Sequence, residues 1–131
     1  MHYYCPMIFH RPLHLLQSNV HWVLAAINIR DRKIEFYDSM QTKDQEVINN
    51  LRRYIHDEAK NKLGEDWDTD AWEEEAPDCP MQDNMCDCGA FATKFADAIG
   101  QDRDVSDVTA ERMHFFRKRM AADILNKHVP P

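Results

Sequence analysis

Cys86 and Cys88 stand one residue apart in "PMQDNMCDCGAFATKFAD", residues 80–97, and a thiolate is a potent nucleophile. The run from residue 88 onward carries apolar residues at helical spacing, so Cys88 falls at a helix N-terminus. Unpaired backbone N–H groups and the positive end of the helix dipole there favour an anion, which is the reactive form of a thiol. Gly89 leaves that thiol uncrowded and lets a substrate backbone approach closely. Asp87 is placed to cap the helix. Cys86 lies in the preceding loop without such a field and reads as inert. Residue type alone also gives Cys88 a commoner role, that of a buried small hydrophobe.

A thiol protease needs a histidine as acid and base, an acid to orient it, and donors for the oxyanion. With seven histidines in the chain, position has to decide. His21 opens an apolar strand and is followed by Trp22, while Asp38 ends the next strand in "YDS". A hairpin would bring both to one rim of a sheet; a strand-edge histidine and a turn-forming aspartate are the plainer alternative. Gln82, six residues before Cys88, carries an amide that can donate to an oxyanion or serve as an ordinary loop residue. Cys79, Cys86 and Cys88 with a histidine could also be read as a metal site. Their spacing, C-x6-C-x-C, lacks the paired knuckles of structural zinc sites, and no metal or other cofactor is expected.

The elements that must position these groups follow from hydrophobic periodicity. Met7 to Leu15 is β-compatible around Pro12 and predicts an edge or irregular strand. Apolar runs at 21–29 and 33–38, broken by Arg30-Asp31-Arg32, predict an antiparallel hairpin whose first strand is buried on both faces. Val47, Ile48, Leu51, Tyr54, Ile55 and Ala59 then recur at helical spacing. Thr42 and Gln45 form a capping-box pair before them and Gly64 a stop after them, predicting a helix over about 43–61. Residues 65–78 carry eight acidic side chains and read as an exposed acidic connection whose Trp67 and Trp72 pack back on the body. A second helix over 88–99 sets Phe91, Phe95 and Ile99 on one stripe and ends at Gly100. A third, about 108–127, is amphipathic through Met113, Phe116, Met120, Ile124 and Leu125 and is stopped by "VPP". Strands early and helices late make an α+β fold.

At 131 residues, with 44% apolar and 30% charged side chains, the chain has the length and composition of one soluble domain. Its formal net charge of −7 gives no overall reason to bind nucleic acid or an anionic membrane. The basic cluster "FFRKRM" at 115–120 reads as a solvated helix face or a dipole-compensating feature. No apolar stretch is long enough to span a bilayer, and "MHYYCPMIFHRP" lacks the order of a secretory signal, so a soluble, intracellular protein with free thiols is expected.

Three blocks in order, "VHWVLAAINIRDRKIEFYDSM", "CPMQDNMCDCGAFATKFAD" and "HFFRKRMAADIL", resemble the ubiquitin-like-protein-specific cysteine proteases that process SUMO, the sentrin-specific proteases. The resemblance runs from about Pro12 to the C-terminus. It implies a cysteine-proteinase-like (papain-like) α+β core, a small central β-sheet flanked by helices. It further implies His21 as general base, Asp38 as the residue that orients it, Cys88 as nucleophile and Gln82 as oxyanion donor, joined by the backbone N–H of Cys88. Trp22 would cover, beside Gly89, a narrow tunnel for the substrate's Gly-Gly tail, admitting glycine and excluding larger residues. The activity implied is hydrolysis after the C-terminal Gly-Gly of SUMO, with SUMO and sumoylated proteins as partners, in a monomer of the nucleus or cytoplasm. Domains of this family are longer, so residues 1–131 read as a single domain truncated at its N-terminus. Two other readings stay open: a protease for NEDD8 or ubiquitin, and a non-catalytic SUMO-binding remnant. Cys86 stands where the family does not usually carry cysteine.

Overall fold

Strand β2 (His21–Asn28) carries apolar side chains at successive positions because both faces of the sheet it lies in are covered. Its alternate residues divide between two cores. Leu24 and Ala26 join Phe91, Phe95 and Ile99 on one side, and Val23, Ala25 and Ile27 join Ile48, Leu51, Ile55 and Trp72 on the other. The computed structural model that shows this describes residues 13–18 as backbone and residues 21–127 with their side chains. Four strands lie in the order β1 (Leu13–Ser18), β2, β3 (Lys33–Tyr37) and β4 (Glu73–Glu75). The first three are antiparallel and β4 runs parallel to β3. Helix α1 (Gln45–Leu63) packs on one face, α2 (Cys88–Gly100) on the other, and α3 (Met113–Leu125) follows a single 3-10 turn.

The expected hairpin is present, with Leu24 paired to Tyr37 and Asn28 to Lys33. The strand expected over 7–15 falls largely outside the described residues; β1 as described runs on to Ser18. Helix α1 is capped differently from expectation. Asp44 is its N-cap, accepting from the N–H groups of Glu46 and Val47 at 3.1 Å each, because the Thr42 hydroxyl is committed to Asp38. Gly64 does end the helix, at φ +70°, a left-handed conformation that glycine adopts without a Cβ penalty. Ile48, Leu51, Ile55 and Ala59 face inward, but Tyr54, counted on the same stripe, is exposed.

The acidic stretch is a correction: it contains a 3-10 turn (Thr69–Ala71) and the edge strand β4. Alternation sends Glu73 and Glu75 to Lys33, at 3.3 Å each, and Glu74 to Lys43 and Arg52, at 2.8 Å each. Cations supplied from elsewhere in the chain thus stabilise a segment of low β-propensity, and its charges blunt the sheet edge. Trp72 is buried, with Trp67 packed beside it at a ring separation of 6.0 Å. Helix α3 buries Met113 and Phe116, whereas Ile124 and Leu125 are 78% and 82% exposed, so its apolar stripe stops short of the last turn. Among the described residues no helix is long and apolar enough to cross a membrane.

Candidate active site

Because β2 and β3 are antiparallel, the start of one and the end of the other share a rim, and His21 and Asp38 meet there. His21 Nε2 lies 2.5 Å from Asp38 Oδ1, with the carboxylate side chain 1% exposed and the imidazole 17%. Asp38 Oδ1 also accepts the Met40 N–H at 2.8 Å. Its Oδ2 accepts the Thr42 N–H at 3.1 Å and the Thr42 hydroxyl. Burial on its own would raise the Asp38 pKa; the Thr42 hydroxyl, the His21 ring and the Met40 N–H outweigh it and hold the carboxyl below its ordinary value. A carboxylate can only accept, so the Nε2 facing it is the donor nitrogen, and Nδ1 is the ring nitrogen left for proton exchange.

Cys88 is the first residue of α2 and is buried, at 7% exposure. Asp87 occupies the N-cap position, but its side chain caps nothing. Instead it accepts from Asn84 Nδ2 at 2.7 Å and Arg117 Nε at 2.7 Å, while Arg117 also donates to the Cys86 carbonyl at 3.0 Å. The Asn84 bond, against the opposing effect of burial and with help from Arg117, holds the Asp87 carboxyl down. The "FFRKRM" cluster is therefore not wholly a solvated face, since one of its arginines ties α3 to the loop before Cys88. Asn84 Oδ1 shapes that loop further by accepting the N–H groups of Cys86 and Asp87 at 2.9 and 3.0 Å. Cys86 is exposed, and its thiol turns to Asn84 Oδ1 at 3.2 Å.

Gln82 is doubly tied to Ser39: its N–H donates to the Ser39 carbonyl at 2.9 Å, and its Oε1 accepts the Ser39 hydroxyl at 2.6 Å. Its Nε2 donates to the Asn84 carbonyl. Trp22, 40% exposed, lies over the start of α2; a Cβ built on Gly89 would stand 3.5 Å from its Cδ1, in ordinary contact. Cys79 sits beneath, its thiol donating to the Asp38 carbonyl at 3.4 Å, and burial pushes its pKa up, so it stays a neutral donor.

The structure thus joins His21 to Asp38 directly, Gln82 to Asp38 through Ser39, and Trp22 to the residue after Cys88. It shows no hydrogen bond between the Cys88 thiol and the His21 ring, a contact that in unliganded enzymes is often long and tightens with substrate. Ser39, Thr42, Asn84 and Arg117 were not among the expected site residues. Only Ser39 has a sequence signal, adjacency to Asp38; Thr42, four residues on, carries the signature of a helix cap instead.

Residues 2–129 match the model of the Ulp1 protease family, C-terminal catalytic domain. Among curated relatives, ubiquitin-like-specific protease 1A of Arabidopsis thaliana is 39% identical over 122 residues, 92% of this chain and 23% of that protein. Human sentrin-specific protease 2 is 33% identical over 121 residues, 90% of this chain and 20% of that protein. The chain therefore spans about a quarter or less of these relatives' length. In fold, it superposes on the Ulp1-like SUMO protease catalytic domain of Chaetomium thermophilum with a TM-score of 0.80 at 24% identity, covering 95% of this chain and 49% of that one. On the C-terminal Ulp1 protease domain solved in complex with Smt3, the yeast ortholog of SUMO, the TM-score is 0.75 at 23% identity, with coverage of 89% and 52%. The fold is that of the Ulp1 catalytic domain, the α+β cysteine-proteinase class expected from the motifs, and the chain belongs to the Ulp1 protease family.

Proposed function

We propose that residues 1–131 form a single domain of a thiol protease that cleaves after the C-terminal Gly-Gly of SUMO, releasing it from target lysines and trimming its precursor. The observation that carries this reading is the 2.5 Å His21–Asp38 pair at the rim of the sheet. It lies beside the helix that begins with Cys88, in a chain of this family. The Gly-Gly tail is covered by Trp22 and approaches the thiol closely where Gly89 carries no side chain. His21 Nδ1 takes the Cys88 proton while Asp38 holds the ring and balances the imidazolium that forms. The thiolate adds to the carbonyl of the last glycine, and the developing oxyanion is met by the Gln82 amide and the Cys88 N–H. Collapse expels the lysine amine with a proton from His21 and leaves a thioester on Cys88. Water, activated by His21, hydrolyses it and frees the carboxylate and the thiol. SUMO and sumoylated proteins are the partners on this reading, and the nucleus or cytoplasm is where they would be met.

The test is labelling of the chain by SUMO ending in a thiol-reactive electrophile. Cys88→Ala should abolish the adduct and Cys86→Ala should retain it; an adduct that survives Cys88→Ala refutes the assignment. Probes built on NEDD8 and ubiquitin run in parallel should label poorly, and preferential labelling by either would move the substrate to that modifier.

A further inference from the structure

Gln82 can serve an oxyanion only if its amide nitrogen, and not its oxygen, faces the reacting carbonyl. A side-chain amide is nearly symmetric in shape, so the choice has to be imposed by partners. Two partners impose it. The Ser39 hydroxyl, on a residue 2% exposed, lies 2.6 Å from Oε1. The Asn84 carbonyl, which can only accept, takes one hydrogen of Nε2. A flipped amide would set its oxygen against the Asn84 carbonyl oxygen and leave the buried hydroxyl to accept from nitrogen. Since Asn84 consumes one of the two Nε2 hydrogens, one remains to donate elsewhere. The Gln82 N–H on the Ser39 carbonyl, at 2.9 Å, fixes the backbone from which this side chain extends.

We infer that Ser39 is a positioning residue for the oxyanion donor: its hydroxyl locks the Gln82 amide in the one orientation that presents N–H to the tetrahedral intermediate. The inference rests on the role of Gln82 proposed above and adds a residue that touches neither substrate nor thiol. Ser39 follows the acid Asp38 in sequence, so a single turn of chain serves both the base and the oxyanion.

The experiment is a double-mutant cycle read as kcat and KM on SUMO carrying a C-terminal fluorogenic amide, with wild type, Ser39→Ala, Gln82→Ala and the double variant, and thermal midpoints for all four. Gln82→Ala should lower kcat on the order of 100-fold, the usual effect of removing one oxyanion donor. Ser39→Ala should lower kcat roughly 5- to 10-fold, the range of one hydrogen bond, with KM unchanged. In the Gln82→Ala background it should cost nothing more. Gln82→Glu, which keeps an acceptor for Ser39 but sets a carboxylate oxygen where the donor was, should lower kcat at least as far as Gln82→Ala. Equal losses from Ser39→Ala in both backgrounds would overturn the inference, since a merely structural role, misfolding included, gives that result. So would a rise in KM at constant kcat. If Gln82→Ala leaves kcat intact, the oxyanion assignment itself fails. If Gln82→Ala is damaging and Ser39→Ala is not, only the role of Ser39 fails.

Discussion

Replacing Thr42 by valine removes a single hydroxyl from the buried carboxylate of Asp38 while keeping the side-chain shape. In the native chain Asp38 accepts four hydrogen bonds, from His21, Met40 and twice from Thr42. A hydrogen bond to a charged acceptor contributes roughly 1.5–3 kcal/mol. Three donors survive the substitution and Thr42 itself is exposed, which places the loss at the low end, about 1.5 kcal/mol. For a domain of this size that is a fall of roughly 5–8 °C in the thermal midpoint. The sign of the pH dependence follows from the depressed Asp38 pKa. A depressed carboxyl contributes stability above its unfolded pKa, about 3.9, and that stability is lost as pH falls through the lower folded value. The variant gives up part of this contribution, so the gap between the two proteins should be full at pH 7 and shrink below about pH 4. Urea unfolding of both proteins at a series of pH values measures it. A gap that is absent at neutral pH, or that stays constant on acidification, refutes the claim that the hydroxyl acts on the ionised carboxylate.

Arg117→Ala removes two of the bonds that hold the loop before Cys88, to Asp87 and to the Cys86 carbonyl. With the arginine half exposed, thermal stability should fall by only ~0.5–1 kcal/mol. The rate of probe labelling at Cys88 should fall several-fold, and unchanged labelling would show that the loop holds its shape without α3. Glu74→Gln tests the β4 edge. Lys43 first, then Arg52, against the effect of burial and with help from Gln45, push the Glu74 carboxyl down to about 2. Its contribution is present above the unfolded pKa of about 4.3 and lost as pH falls toward 2. The variant should be roughly 1–2 kcal/mol less stable at pH 7, with the gap narrowing below about pH 4 and closing only once pH falls past about 2 in acid-unfolding curves.

What the sequence disclosed of the fold tracks where the stabilising partners lie along the chain. β2 and β3 were legible because burial on both faces writes itself into consecutive residues, and the end of α1 because Gly64 supplies a left-handed cap locally. β4 was not legible, since three glutamates become a strand only through Lys33, Lys43 and Arg52, which arrive from distant segments. The start of α1 differs because the Thr42 hydroxyl can either accept from a helix N-terminus or donate to a carboxylate, and Asp38, four residues earlier, takes it. The end of α3 was overdrawn because periodicity continues through Ile124 and Leu125 after the core has stopped. In the site, the residues expected to do chemistry stand out through motifs; those that hold them in place are ordinary polar residues whose contacts appear only with the fold.

Those holding residues divide the site into two bodies. The turn 38–42 is tied to the segment 79–82 by the Cys79 thiol on the Asp38 carbonyl, the Gln41 amide on the Cys79 carbonyl at 3.3 Å, and the two bonds between Ser39 and Gln82. This body carries Asp38, the His21 ring bonded to it and the Gln82 amide, all referred to the end of the sheet. The second body is the loop 84–87 with Cys88, shaped by Asn84 and clamped to α3 by Arg117. The two meet at the Trp22–Gly89 contact, at the Gln82–Asn84 bond and through the core that α2 shares with Leu24 and Ala26 of β2. The Cys88 thiol and the His21 ring therefore belong to different bodies, related through that junction. On the proposed function, a Gly-Gly tail covered by Trp22 would press on this junction, the place where Cys88 and the His21 ring have to be brought together.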